Sequence, residues 1–166
     1  MTSQEVTIED RDGVRWVELD RPASRNGLTV DVNRALIAAI QGAGAGSGVR
    51  TLVLGGAGGC FCSGLDLKEA MRRGPQPPAD TERDMRAYFH GLIRAVRASP
   101  VPVIAAVDGA AAGFGCDLAL ACDLRLLSER ARFGEIFVKR GLVPDGGGTW
   151  ALPRIIGLGR ALELFY

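Results

Sequence analysis

Pro102-Val103-Ile104-Ala105-Ala106-Val107-Asp108-Gly109, with the residues that follow it, decides the fold. Val103 to Val107 carries no charge and suits a strand covered on both faces. Gly113-Phe114-Gly115 opens a helical stretch to Ala121, and Leu124 to Leu127 reads as the next strand. A strand, a glycine turn, a helix and another strand make one crossover unit of an α/β protein. Toward the N-terminus, Val49 to Leu54 is a second buried strand. Val6 to Ile8 and Val14 to Leu19 alternate about Asp12-Gly13, the strongest short-range hairpin signal. Val32, Leu36, Ala39 and Ile40 fall on one helical face, with Asp31 in the first turn. A short helix is predicted over Leu65 to Arg73. A longer one runs from about Asp80 to Arg97, with Met85, Phe89, Leu92, Ile93 and Val96 on one stripe. Gly42 to Gly48 is a flexible connector and Gly74 to Pro78 a break. The tail, Thr149 to Tyr166, reads as helix interrupted at Pro153 and again at Gly157 to Gly159. The fold class is therefore α/β, with a parallel or mixed sheet.

Composition narrows the function classes. The chain has 166 residues, the size of one domain, and 20 Lys+Arg against 19 Asp+Glu give a net charge of +1. That balance lacks the basic excess of a nucleic-acid footprint, so no nucleic-acid partner is expected. Apolar runs fall short of the ~18 residues that a membrane helix needs, so no membrane partner is expected. Met1 to Asp10 carry acids and no apolar run, which argues against a signal peptide there. Cys60, Cys62, Cys116 and Cys122 then read as reduced thiols in a cytoplasmic protein. With a C-x-C spacing and a single histidine, no metal site is expected.

Ligands of such sheets bind where strands meet helices, and two glycine-rich junctions lie there, Gly55 to Gly64 and Gly109 to Gly115. Small residues let a ligand approach the backbone, and a helix start exposes unpaired N–H groups. Two such starts on one pocket would form an oxyanion hole, each donor worth roughly 2.7–4 kcal/mol to a barrier. On these residues alone, plain turns are the better explanation of the pattern.

Phe61-Cys62-Ser63-Gly64-Leu65-Asp66-Leu67 resembles a segment of the crotonase superfamily, the enoyl-CoA hydratases and isomerases. So do Pro102 to Gly109, Gly113 to Asp117, Leu118 to Arg125, Ala131 to Gly134 and Gly141 to Thr149, while Leu19-Asp20-Arg21-Pro22 resembles the family's N-terminal turn. The resemblance implies a crotonase-like spiral of ββα units over residues 1–166. It also implies that the family's C-terminal helices, which close the acyl pocket and build much of a trimer, are largely missing. The 166-residue chain alone is expected to be weakly active or inactive, and the full-length protein a homotrimer or dimer of trimers. The implied substrate is an acyl-CoA thioester, with coenzyme A carried by the substrate and no cofactor bound.

By the same resemblance, the oxyanion-hole donors are the N–H groups of Leu65 and Phe114. Leu65, Asp66, Leu67 and Lys68 line the CoA pocket, and Gly113, Gly115 and Phe137 the acyl pocket. Hydratases of the family hold a water between two glutamates. Here the first position is Asp117 and the second Phe137, which cannot bind or deprotonate water. Glu135, two residues away, is expected to aim elsewhere, and His90 to be a surface or packing residue. Asp145, in Val143-Pro144-Asp145-Gly146-Gly147, matches an acid of isomerase-like and dehalogenase-like members. Double-bond isomerisation with Asp145 as base is therefore the first expectation. The alternatives are a hydratase, or a decarboxylase or hydrolase relative, using Asp117, and a noncatalytic acyl-CoA-binding or assembly protein.

Overall fold

The computed structural model describes residues 5–166, so the first four residues of the leader reading lie outside it. β1 (Val6–Arg11) and β2 (Val14–Leu19) form an antiparallel hairpin. At its tip Asp12 and Gly13 both have positive φ, 56° and 81°, as a type I′ turn requires. α1 (Val30–Gln41) follows, with the Thr29 side chain accepting the Val32 N–H at 3.2 Å as its cap. β3 (Thr51–Gly56), β4 (Val103–Val107) and β6 (Leu124–Leu127) add to β2 in parallel, so the five-stranded sheet runs β1-β2-β3-β4-β6 and is mixed. The core lies where β2, β3 and β4 meet α1, α4 (His90–Arg97) and α5 (Phe114–Ala121), around Leu36, Leu52, Phe61, Leu92 and Leu118.

Several elements differ from the sequence reading. α2 spans Leu67–Arg73 instead of beginning at Leu65, because the Asp66 side chain accepts the Glu69 N–H and caps it there. The long helix starts earlier, as α3 (Pro78–Asp84), since proline is well tolerated in a first turn. It then widens into a π-helical segment over Met85–Phe89, where the His90 N–H reaches the Met85 carbonyl. A second, two-stranded parallel sheet, β5 (Ala110–Ala112) with β7 (Arg132–Gly134), was absent from that reading. Pro153 does not interrupt the tail. α6 (Gly148–Ile156) runs through it, because the carbonyl it leaves unpaired belongs to the solvent-exposed Thr149. The break falls at Gly157, before α7 (Leu158–Phe165). Among the described residues no helix is long and apolar enough to cross a membrane, and all four cysteines are buried and unbridged.

Candidate active site

The turn after β5 and the turn before α2 meet. Gly113 caps α5 with φ 53°, a conformation that only glycine adopts readily, and α5 then starts at Phe114. The first intrahelical bonds run from Cys116 and Asp117 to the Gly113 carbonyl, which leaves the Phe114 N–H without an acceptor among the described residues. Leu65 lacks one for a different reason. It pairs with Leu28 as an isolated bridge, in which the Leu28 N–H donates to Gly64 and the Asp66 N–H to Leu28, so the N–H of Leu65 itself points to the opposite side. This donor thus comes from a bridged extended segment, and only Phe114 stands at a helix start. Gly64 joins the two: with φ +87°, its absent Cβ would lie 3.1 Å from the Phe114 nitrogen.

Leu65, Gly113 and Phe114 line a cavity of about 160 Å³, together with Phe89, Phe137 and Asp145. The Phe89 and Phe114 rings meet edge to face at 5.5 Å, so most of the wall is aromatic and apolar. Asp145 stands at the open rim, and groups packed around it desolvate its carboxyl enough to raise its pKa. Its own N–H and the charge of His90 oppose that rise. His90, expected to be a bystander, is half-buried and close enough to act on Asp145 through its field.

The other expected residues divide. Phe137 and Gly113 are on the cavity wall, whereas Gly115 packs against the Cys62 backbone, where a Cβ would lie 2.2 Å from the carbonyl oxygen. Of the CoA-pocket residues, Leu67 and Lys68 are exposed, while Asp66 is buried in an ion pair with Arg21 at 3.0 Å. Leu65 and Asp66 also line an adjoining hollow of about 240 Å³. Asp117 does not reach the cavity of Leu65 and Phe114. It lines a separate hollow of about 190 Å³ with Gly146, Gly147 and Trp150, behind the turn that carries Asp145.

Glu135, expected to aim elsewhere, aims at Asp117. The absent Cβ of Gly148 would meet Asp117 Oδ1 at 2.1 Å and Glu135 Oε1 at 2.7 Å, so the two carboxyl groups converge on one stretch of backbone. Burial, foremost, raises both pKa values; for Glu135 the neighbouring Asp117 charge is the next cause. The Gly146 N–H donates to Asp117 Oδ2 at 2.8 Å and works against the rise there.

Two supporting residues escaped the sequence reading. Arg21 donates to Glu5, to the Gly27 carbonyl and to Asp66, which ties the first loop to the segment around Leu65. Asn26, fully buried, accepts the Arg21 N–H and donates to the Ala57 and Cys60 carbonyls, clamping the glycine loop. No local pattern in the sequence singles out either residue.

A family model for enoyl-CoA hydratase/isomerase matches residues 9–166. A probable enoyl-CoA hydratase of Rhodobacter capsulatus is 39% identical over 164 residues, covering 99% of this chain and 62% of that protein. The 1,2-epoxyphenylacetyl-CoA isomerase of Escherichia coli is 37% identical over 152 residues, covering 92% and 58%. A crystal structure of a putative enoyl-CoA hydratase from Streptomyces coelicolor A3(2) superposes with a TM-score of 0.89 at 39% identity, over 97% of this chain and 59% of that one. The chain thus spans about three-fifths of the length of the relatives it matches.

Proposed function

Since this chain belongs to the enoyl-CoA hydratase/isomerase family, we propose that it moves a double bond in an enoyl-CoA thioester, with Asp145 as the proton carrier. The thioester oxygen accepts from the Leu65 and Phe114 N–H groups. Asp145 takes a proton from Cα, and the electron pair of that C–H bond becomes the enolate double bond as negative charge moves onto the oxygen. The same proton passes from Asp145 to Cγ while the original double bond shifts to Cα–Cβ, so no water and no redox partner enters. Coenzyme A arrives and leaves with the substrate.

The observation that carries this reading is that Leu65, Phe114 and Asp145 share one cavity while Asp117 lines another. Desolvation supports it further, because a carboxylate with a raised pKa is a stronger base toward a carbon acid. The isomerase name of the Escherichia coli relative points the same way. Hydration through Asp117 remains the second reading, favoured by the name of the Rhodobacter relative and by a carboxyl group at the first hydratase position.

Asp145→Asn and Asp117→Asn, assayed with cis-3-enoyl and trans-2-enoyl thioesters on the protein as its gene encodes it, separate the two. Isomerisation lost in Asp145→Asn supports the proposal. Isomerisation surviving that change removes it, and hydration lost only in Asp117→Asn establishes the second reading. Acyl-CoA binding without any turnover marks a noncatalytic binding or assembly protein.

A further inference from the structure

Asp117 sits at the position where a hydratase would keep a catalytic acid, yet it faces away from the reacting cavity and is 1% exposed, with Glu135 at 2%. Asp117 Oδ1 and both oxygens of Glu135 have no well-aligned hydrogen bond among the described residues, with the Gly148 backbone beside Asp117 and the Cys116 thiol beside Glu135. Two ionised carboxylates so buried and so close would repel strongly. One proton removes the conflict: carried by Glu135 and donated to Asp117 Oδ1, it pairs that oxygen with one oxygen of Glu135 and leaves a single negative charge. The Gly146 N–H already answers that charge at 2.8 Å. Gly146 is the residue after Asp145, so whatever holds its amide also sets where the Asp145 side chain points.

We propose that Asp117 and Glu135 share one proton and act as positioning residues, gripping the Gly146 amide so that Asp145 stays on the cavity wall. This rests on the isomerase reading for its catalytic consequence, though not for the grip itself. The groups facing the pair are few. Cys116 of α5 presents its thiol to Glu135, and burial, foremost, keeps that thiol protonated. Asp145 adds negative charge from the turn. From α4, Arg97 lines the Asp117 hollow with its guanidinium over the Trp150 ring, and His90 acts on Asp145. When alkali removes the shared proton, two adjacent anions force Asp117 off Gly146 and Asp145 leaves its place.

The test follows the Gly146 amide resonance of the ¹⁵N-labelled protein between about pH 5 and about pH 9, beside the pH dependence of kcat and KM. The expected wild-type result is an amide step above neutrality together with an alkaline fall in kcat, at nearly constant KM. Glu135→Gln, which still donates to Asp117 but cannot ionise, should abolish both while keeping turnover at neutral pH. Glu135→Leu, which fills the space without donating, should lower kcat on the order of 10²-fold, the effect of a misplaced reacting group. A Gly146 amide that does not respond to pH overturns the proposal. So does an alkaline step that persists in Glu135→Gln, or a wild-type kcat profile in Glu135→Leu. The isomerase reading fails separately: if no enoyl thioester is turned over, or if Asp145→Asn remains active, the amide step still decides whether the pair holds the turn.

Discussion

Replacing Phe114 with proline would remove one hydrogen-bond donor and almost nothing else from the backbone. Phe114 is the first residue of α5, the position where proline is best tolerated, and its N–H has no acceptor to lose. Gly113 precedes it at ψ −128°, outside the α region that a following proline would clash with. The ring is another matter: it is 4% exposed and packs edge to face on Phe89, so its loss costs about 3–5 kcal/mol of stability. Phe114→Ala loses the same ring but keeps the N–H, and it is therefore the reference. Both variants should show similar losses of Tm. If the amide stabilises the enolate oxygen, kcat for an enoyl thioester should be lower in Phe114→Pro than in Phe114→Ala by about 10²–10³, equivalent to about 2.7–4 kcal/mol. Steady-state assays of the two purified variants, with circular dichroism to verify folding, measure that ratio. Equal kcat values in the two variants would refute the role given to this amide.

Gly64→Ala should cost kcat and lower Tm together, since φ is +87° and the new methyl would lie 2.9 Å from the Ala112 oxygen and 3.1 Å from the Phe114 nitrogen; thermal melts and initial rates check it. Arg21→Met should remove the partly buried pair with Asp66, lowering stability by about 3–5 kcal/mol and raising KM through a displaced Leu65, as denaturant titration and kinetics would record. The raised pKa of Glu135 means that the folded state binds its proton more tightly than the unfolded chain does, so this contribution to stability is full in acid and is lost as pH rises through the pair's folded range; chemical denaturation at several pH values should show that slope flattened in Glu135→Gln. Asp108 has the opposite sign: the Arg130 hydrogen bond and the Ser128 hydroxyl hold its pKa down to about 2, so its contribution is present above the ordinary aspartate range and disappears only as pH falls toward that value, which carboxyl ¹³C titration by NMR can follow.

The parts of this molecule that local chemistry determines are legible in the chain. Asp12-Gly13 dictates the hairpin, and the spacing of Val32, Leu36, Ala39 and Ile40 dictates α1 and its buried face. Gly113 with Phe114 marks the helix start that offers one donor. What stayed hidden depends on contacts across the fold. Ala110–Ala112 and Arg132–Gly134 are three residues each, too short for a period, and become strands only by pairing with each other. The Leu65 amide is freed by Leu28, 37 positions earlier in the chain, through a bridge that no local pattern announces. Glu135 looked offset from the expected acid position, but the chain between β7 and the 3-10 turn at Ile136–Arg140 turns it toward Asp117, a direction set by β7 pairing with β5. Pro153 looked like a helix breaker, yet α6 runs through it, and the carbonyl it leaves without an intrahelical partner belongs to the exposed residue Thr149.

The proposed isomerisation requires the Leu65 and Phe114 amides to converge on one oxygen with Asp145 beside the adjacent carbon. A crystal structure of the protein with a bound acyl-CoA tests it most directly. The thioester oxygen should lie about 2.7–3.1 Å from both nitrogens, with the Asp145 carboxyl against Cα. A thioester oxygen bound by neither amide, or a Cα facing Asp117 instead, would contradict it.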